Sequence, residues 1–521
     1  MVFNSYEFIF AFLPAVVVVF FAIGKLSRTW ALRWLVGASL FFYAWWRPLN
    51  VLIIAPSVLI NFVLARTLQR LNKQGRRGAA QAVLLLGIAF NVAFLGYFKY
   101  SNFLVGAVND AFGAHLFLAR VILPLGISFI TFQKIAFLID VQAGRVESFS
   151  LQDYCLFVLF FPQLIAGPIV HYREMMPQFH AASCRFDKDN VSVGVTLFAF
   201  GLIKKAFIAD SIAQFVSPIY EQATSGSSIA FLPAWIAAIG FTLQIYFDFS
   251  GYTDMALGIA RLFGVKLPPN FNSPLRATSI IDFWLRWHMT LTRFLTAYIY
   301  NPLALWLTRR RAAKGLPGFG GHNKSAGAFI ELLVFPTLLT MFVSGVWHGA
   351  GYTFIVWGVL HGLFLTVNHI WRLLTPKLSR DKSSYARFMQ PAGFVITFLC
   401  VSASMVIFRS ANLRISTDLI QGLFGLHGIG LSGLKDTGGL KMTAIWIVFP
   451  AIIALVGPNT LQLLSRYQPA LGWKPSPDHG ATVEDRIQWG PSLAWTVAVS
   501  IVAATGILYL GGQSEFLYWQ F

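Results

Sequence analysis

Acidic residues are few in this sequence for its length. Asp and Glu number 21 against 40 Lys and Arg, and only 12% of the 521 residues are charged. Soluble domains carry about 25% charged residues. Too few charges are present to clothe a water-exposed surface, which excludes a soluble globular class. Cysteine is scarce too. Cys155, Cys184 and Cys400 match neither a disulfide framework nor a metal site, and read as buried or loop thiols. No HExxH or comparable ligand spacing occurs, so no metal is expected. Met1 to Glu7 holds no basic residue and lacks the head of a signal peptide, so the apolar run behind it reads as a retained span. No internal repeat is visible, whereas secondary transporters are often built from repeats around a midplane site. A transporter or flippase is therefore the weaker class.

What is abundant is apolar. Hydrophobic residues make up 56% of the chain, with 50 Phe and 16 Trp, a composition suited to lipid contact and interfacial belts. A bilayer core asks for about 20 apolar residues per helix. Runs of that kind lie near 8–25, 31–48, 50–67, 81–98, 119–139, 192–213, 228–248, 328–346, 350–370, 391–409, 443–460 and 492–511. The formal charge of +19 gathers between them. Arg66, Arg70, Lys73, Arg76 and Arg77 form one cluster; Arg309, Arg310, Arg311, Lys314 and Lys324 a second; Arg372, Lys377, Arg380, Lys382 and Arg387, opposed only by Asp381, a third. No soluble basic domain carries this charge, so nucleic acid is not an expected partner. The clusters read as cytoplasmic loops beside anionic membrane lipid. The span count between them is even, which puts the N-terminus outside. With twelve spans the aromatic end, Phe516-Leu517-Tyr518-Trp519-Gln520-Phe521, is outside too. Residues 1–521 read as a single integral membrane domain.

One stretch organises the rest: Met341-Phe342-Val343-Ser344-Gly345-Val346-Trp347-His348-Gly349-Ala350. A lone histidine sits between two apolar runs joined by almost nothing, and both outer ends of the hairpin meet cytoplasmic clusters. A titratable imidazole at membrane depth is costly unless it has a task or a partner. His348 is the candidate base of a membrane-embedded acyltransferase; the bland alternative is a helix-end histidine bonded to a backbone carbonyl. A neutral imidazole can take the proton from an acceptor hydroxyl as it attacks a thioester. No Ser-His-Asp or Cys-His arrangement accompanies it, which disfavours covalent catalysis on the protein.

Other polar groups interrupt the apolar pattern. Phe161-Pro162 to Gly167-Pro168 breaks any helix in Leu151 to Val170 and suggests a re-entrant segment. Pro268-Pro269-Asn270-Phe271-Asn272-Ser273-Pro274 is a loop by its turn chemistry. In the following Phe283-Trp284-Leu285-Arg286-Trp287-His288-Met289-Thr290-Leu291-Thr292-Arg293-Phe294, Arg286 and Arg293 lie about two turns apart and share a face of an amphipathic helix. They are candidates for the phosphates of a nucleotide-bearing donor. Trp287 lies between them, and His288 is a candidate for orienting the donor or its thioester carbonyl. The bland alternative is an interfacial helix with ordinary Arg and Trp anchors. Asp248 and Asp254, separated by Gly251, either form an acid/base pair or, as the glycine break favours, cap a helix end or pair with Arg261 or Arg286. Lys204-Lys205 at the end of a run reads as snorkelling. His361, several turns along the helix after His348, is a packing or donor-side group. His322, His171 and His180 fall in polar loops.

Taken together, these segments resemble the membrane-bound O-acyltransferase family, and most nearly its bacterial branch of alginate O-acetylation subunits. The resemblance runs through Phe42 to Arg47, Leu95 to Tyr100, Leu123 to Phe129, Phe161 to Pro168, Tyr246 to Tyr252, Phe283 to His288, Trp347-His348-Gly349, Trp357 to Gly362 and the aromatic end. It implies an all-α polytopic fold, a ring of about 11–13 transmembrane helices with re-entrant and interfacial segments around a central tunnel. It places the family's catalytic histidine at His348 and its second polar position at His288. Arg286, Arg293, Trp287 and Asp248 are the donor-side candidates. The donor it implies is acetyl-CoA, entering from the cytoplasm across the cell inner membrane. The acceptor is an alginate-like polysaccharide, or a periplasmic or membrane-anchored partner acetyltransferase of the SGNH type. Relatives that transfer D-alanine to teichoic acid share the architecture but draw on a carrier protein, an alternative that remains open at this point. One departure is local: after Tyr298-Ile299-Tyr300 the segment to the next span is longer than in close relatives.

Overall fold

The computed structural model describes residues 1–119, 121–181, 184–319, 325–378, 382–431, 439–473, 487–511 and 517. His322, Lys324, Arg380, Asp381, Phe516 and residues 518–521 lie outside the described residues, as do the side chains of Lys377 and Lys382. Among the described residues there are helices and no strand. In chain order the main helices are α1 (Glu7–Gly24), α2 (Arg28–Trp46), α3 (Leu49–Lys73), α4 (Arg77–Phe112), α5 (Ile127–Gln142), α6 (Leu151–Leu159), α7 (Phe161–Leu164), α8 (Tyr172–Ala181), α9 (Lys188–Thr224) and α10 (Phe231–Leu262). They continue as α11 (Ile280–Arg286), α12 (Met289–Leu295), α13 (Asn301–Ala313), α14 (Ala326–His348), α15 (Tyr352–Leu378), α16 (Lys382–Arg409), α17 (Leu413–Leu423), α18 (Leu440–Val456) and α19 (Leu493–Leu508).

Eight of these are long and apolar enough to cross a bilayer: α1, α3, α4, α9, α10, α14, α15 and α16. The other four apolar runs fall on α2, α5, α18 and α19. Helix α2 is diluted by Arg28, Arg33 and its tryptophans, and α5, α18 and α19 have only 16 or 17 residues. At 1.5 Å per residue, such lengths fall roughly 5 Å short of a hydrocarbon core. Outward-facing side chains match this environment. Leu85, Leu86 and Val92 on α4, Leu52 and Val63 on α3, and Val497 and Ile501 on α19 are all more than half exposed. Apolar surface on this scale is stable only against lipid or protein, and the chain is a multi-span membrane protein.

The helices divide into two compact units. One comprises Met1–Phe207, Phe249–Pro269 and Thr460–Gln520; the other Ile208–Asp248 and Asn270–Asn459. In the first, α6 stops at Leu159 because Phe160 turns to ψ 112°, and Pro162 then opens the one-turn α7. The Phe161 amide freed by the break donates to Ser39 Oγ at 3.1 Å, and the segment is buried throughout. The expected broken segment is therefore present, with its backbone answered by protein.

Three sequence expectations fail along α9 and α10. Gly251 does not interrupt the helix around Asp248 and Asp254; α10 runs unbroken through it. The glycine serves close approach instead: a Cβ at Gly251 would lie 2.7 Å from the Gly201 carbonyl oxygen on α9. Asp254 caps nothing and pairs with neither Arg261 nor Arg286. It accepts from Lys204 Nζ at 2.6 Å and from Thr460 Oγ1 at 2.7 Å. The Arg261 guanidinium donates to the Tyr467 carbonyl oxygen at 3.2 Å. Lys204 and Lys205 consequently turn inward rather than snorkel, and Lys205 is 1% exposed. Removing one partner of a buried pair strands the other charge, at about 3–5 kcal/mol. Lys204→Met is therefore expected to lower the thermal unfolding midpoint in detergent clearly, and Lys204→Met/Asp254→Asn to recover part of the loss. An unchanged midpoint in the single variant would contradict the pairing.

In the second unit, α14 and α15 form the hairpin expected around His348, turned by Gly349, Ala350 and Gly351. The two helices touch backbone to backbone. A Cβ on Gly345 would sit 2.3 Å from the Phe354 carbonyl oxygen, and one on Gly358 would sit 2.5 Å from that of Met341. Membrane helices rely on such small-residue contacts because lipid supplies no hydrophobic drive between them. Helix α11 is tied to α15 by the Ile281 amide donating to Asn368 Oδ1 at 3.3 Å. The loop before α11 is anchored by Asn459 Nδ2, which donates to Asn272 Oδ1 at 3.1 Å and Ser273 Oγ at 2.9 Å. Arg276 completes the anchor by donating to the carbonyl oxygens of Ala454 and Gly457.

Candidate active site

The segment carrying His288 is not one helix. Helix α11 ends at Arg286, Trp287 is extended, and His288 adopts φ 43°, ψ 51° before α12 begins at Met289. A left-handed conformation at a residue other than glycine costs on the order of 1–2 kcal/mol, and such outliers persist where surroundings hold them and often where function needs them. What holds this one is Asn270. Its carbonyl oxygen accepts from the Met289 amide at 2.9 Å. Its Oδ1 accepts from the Thr290 amide at 3.3 Å and from Thr290 Oγ1 at 2.6 Å, and lies 3.2 Å from His288 Nδ1. A backbone N–H can only donate, so the atom it meets is the amide oxygen. His288 Nδ1 must then carry the proton, and Nε2 the lone pair. His288 is completely buried, and burial pushes its imidazole down to about 3. It is neutral at any physiological pH.

The sequence read the stretch around Asn270 only as a loop and missed this residue. The signal was the turn itself, a Pro-Pro-Asn just ahead of the Arg-Trp-His segment. Asn270→Ala is expected to reduce turnover about tenfold by releasing the ring, with Asn270→Asp milder. Steady-state rates of both variants check this, and equal rates in Asn270→Ala and the unaltered protein would refute the support role.

His348 closes α14 and is 5% exposed. Aromatic rings surround it: Trp347 at 4.8 Å between centroids, Trp357 at 5.1 Å and edge-on, Phe408 of α16 at 5.2 Å and edge-on. The His288 ring lies 6.0 Å from Trp347. The two histidines singled out by sequence are thus brought to one place, both in contact with one indole. A third joins them. His361, which the sequence set several turns away, packs 4.6 Å from Trp357 because residues four apart share a helix face. His288, Trp347, His348, Trp357 and His361 form one continuous row of rings.

The donor-side candidates fare differently. Arg286 and Arg293 sit on separate helices, because the break at Trp287–His288 removes the shared face. Arg286 Nε is engaged with Asp282 Oδ1 at 2.7 Å, an i,i+4 pair on α11. Trp287 is buried, stacked on Phe283 at 5.5 Å and met edge-on by Phe271 at 5.1 Å, so its indole serves packing. Asp248 is buried within α10 in the same unit. In the segment singled out as longer than in relatives, Asn301–Ala313 is helical and Arg311 binds Glu331 at 2.5 Å. The structure thus brings the two histidines against one indole and places Arg286 and Arg293 on separate helices.

The fold is that of a polytopic membrane protein, and the comparisons name its class. The pattern of the MBOAT, membrane-bound O-acyltransferase family, matches residues 18–315. The chain belongs to this family and is an O-acyltransferase. It is 38% identical over 466 residues to the peptidoglycan O-acetyltransferase of Helicobacter pylori, covering 84% of this chain and 82% of that one. It is 33% identical over 567 residues to the probable alginate O-acetylase AlgI of Pseudomonas aeruginosa, with 100% of both chains covered. The teichoic acid D-alanyltransferase of Streptococcus thermophilus is 27% identical over 293 residues, 54% of this chain and 68% of that one.

Proposed function

We propose that this protein is an O-acetyltransferase of the cell inner membrane, taking an acetyl group from cytoplasmic acetyl-CoA to an extracytoplasmic hydroxyl. That hydroxyl belongs to a glycan, alginate-like or peptidoglycan, or to a partner acetyltransferase of the SGNH type. The observation that carries the reading is the pair of buried imidazoles, His288 and His348, each in ring contact with Trp347. His348 acts as base: the acceptor O–H proton passes to the imidazole as the oxygen attacks the thioester carbonyl. The new O–C bond forms, the C–S bond breaks, and the proton leaves on the thiolate as free CoA–SH. His288, neutral with its lone pair on Nε2, assists as a hydrogen-bond acceptor. It therefore receives an N–H or O–H of a substrate and cannot donate to the thioester carbonyl in this tautomer, contrary to one expectation from sequence. O-acetyl transfer is supported by similarity to named O-acetylases at 33–38% identity, over 84% of this chain in one case and all of it in the other.

Carrier-fed D-alanyl transfer has thinner support, a relative matched over 54% of the chain. Inverted membrane vesicles given labelled acetyl-CoA distinguish the two. The expected result is label in lumenal glycan or partner protein with stoichiometric release of CoA. No CoA release with acceptor and partner present would overturn the acetyl-CoA reading and favour the carrier.

A further inference from the structure

Beyond the two histidines used above, the row of rings ends in a polar arrangement to which neither the chemistry nor the packing yet gives a role. Ser404 Oγ on α16 donates its single hydrogen to the Val401 carbonyl oxygen at 2.7 Å. The same oxygen lies 2.9 Å from His361 Nε2. With its hydrogen committed, the hydroxyl can only accept from the ring, so His361 Nε2 carries the proton and Nδ1 carries the lone pair. His361 is completely buried, and Nδ1 meets no hydrogen-bond partner among the described residues. Two indoles face this imidazole, Trp357 at 4.6 Å and Trp284 at 5.3 Å, and they lie 5.9 Å from each other. Both are buried, and neither Nε1–H meets an acceptor among the described residues.

One buried acceptor and two buried donors within three touching rings are a costly combination. Buried polar groups left unanswered are costly, and natural interiors satisfy nearly all of them. The chemistry of a group that would answer them is restrictive. It must donate to His361 Nδ1 and accept from an indole N–H. A carbonyl or carboxylate cannot donate, and an ammonium cannot accept. A neutral hydroxyl does both.

We infer that His361, Trp284 and Trp357 form a binding site for a single hydroxyl group, one indole away from His348. The hydroxyl comes either from an ordered water or from the acyl acceptor. The second source rests on the acyl-transfer reading above; the first does not. Trp357 touches both His348 and His361, so an acceptor held at His361 lies beside the base.

The test is structural and kinetic together. Cryo-EM of the full chain in lipid nanodiscs is expected to show one oxygen at about 2.7–3.0 Å from Nδ1 and from an indole nitrogen. His361→Phe keeps the ring volume and removes both hydrogen bonds. His361→Gln restores a donor toward Ser404 and an acceptor toward the site. If the oxygen is the acceptor's, His361→Phe raises acceptor KM about tenfold, the loss of one good hydrogen bond, with a smaller change in kcat, and His361→Gln recovers most of it. If it is water, the density is present without acceptor, KM is unmoved, and His361→Phe lowers the thermal midpoint while Gln restores it. Density showing the three rings in dry contact, together with unaltered KM and midpoint in His361→Phe, would overturn the site. Failure of acetyl transfer from acetyl-CoA in the unaltered protein would sink the donor reading alone, leaving the density and thermal results to stand.

Discussion

Replacing His348 with alanine is expected to lower acetyl transfer by about 10²–10⁴-fold, the range removed when a general base is lost. The protein should still insert and fold. The imidazole ends a helix rather than filling its middle, and its neighbours Trp347, Trp357 and Phe408 are also held to one another and to other groups. Trp357 packs on Phe408 at 5.1 Å without the histidine. Expression level and detergent thermal midpoint are read beside acceptor-dependent CoA release. Loss of activity with a retained midpoint assigns chemistry to the imidazole. Near-normal acetylation would remove His348 from the mechanism. His288→Ala serves as the contrast: it should lower turnover less steeply, and rates equal to those of the unaltered protein would demote it to packing.

Gly358→Leu is the second change with a large expected effect. A Cβ there would meet the Met341 carbonyl oxygen at 2.5 Å and Gly345 Cα at 2.9 Å, both of them backbone. No rotamer relieves a clash with backbone, so α14 and α15 must part. Parting them moves His348 relative to Trp357 and His361, and a displacement of about 1 Å at a reacting group can cost 10²-fold in rate. The expected outcome is little folded protein and less than about one hundredth of the activity in what survives. Gly358→Ala should fall between the two. Circular dichroism melts and specific activity per folded molecule separate the stability loss from the rate loss. Full activity in Gly358→Leu would show that the hairpin is looser than its glycines imply.

Much of this arrangement was legible in the chain because the bilayer simplifies the code. Runs of apolar residues marked every major helix, and a lone histidine between two of them pointed at His348. The misreadings share a cause. Spacing assumes that a helix continues, and at Trp287–His288 it does not, so Arg286 and Arg293 were put on one face they do not share. At Gly251 the opposite assumption failed: a glycine between two aspartates read as a break, yet it is there to let α9 approach. Lys204 read as snorkelling because sequence shows the charge and not its partner, which lies 50 residues on at Asp254. Asn270 and His361 were visible as residues but not as neighbours of the site. Tertiary packing brings the first to His288, and a shared face of α15, four residues apart, brings the second to Trp357.

The compact hairpin bears on how the enzyme is made. His348, Trp357 and His361 sit on two adjacent helices, so their mutual contacts close short loops, the kind that form fastest. The Asn270 clasp on His288 spans 18 residues, and the Ser404 contact to His361 spans 43. A chain emerging N-terminus first can therefore set the clasp, then the hairpin, and can fix the tautomer of His361 only once α16 has been synthesised. Nascent chains stopped before Ser404 should already hold the Asn270 clasp on His288 and the α14–α15 hairpin, while His361 is still free to turn and His348 still lacks Phe408. Catalytic competence would thus be acquired in stages during synthesis, with the His361 end of the row completed last.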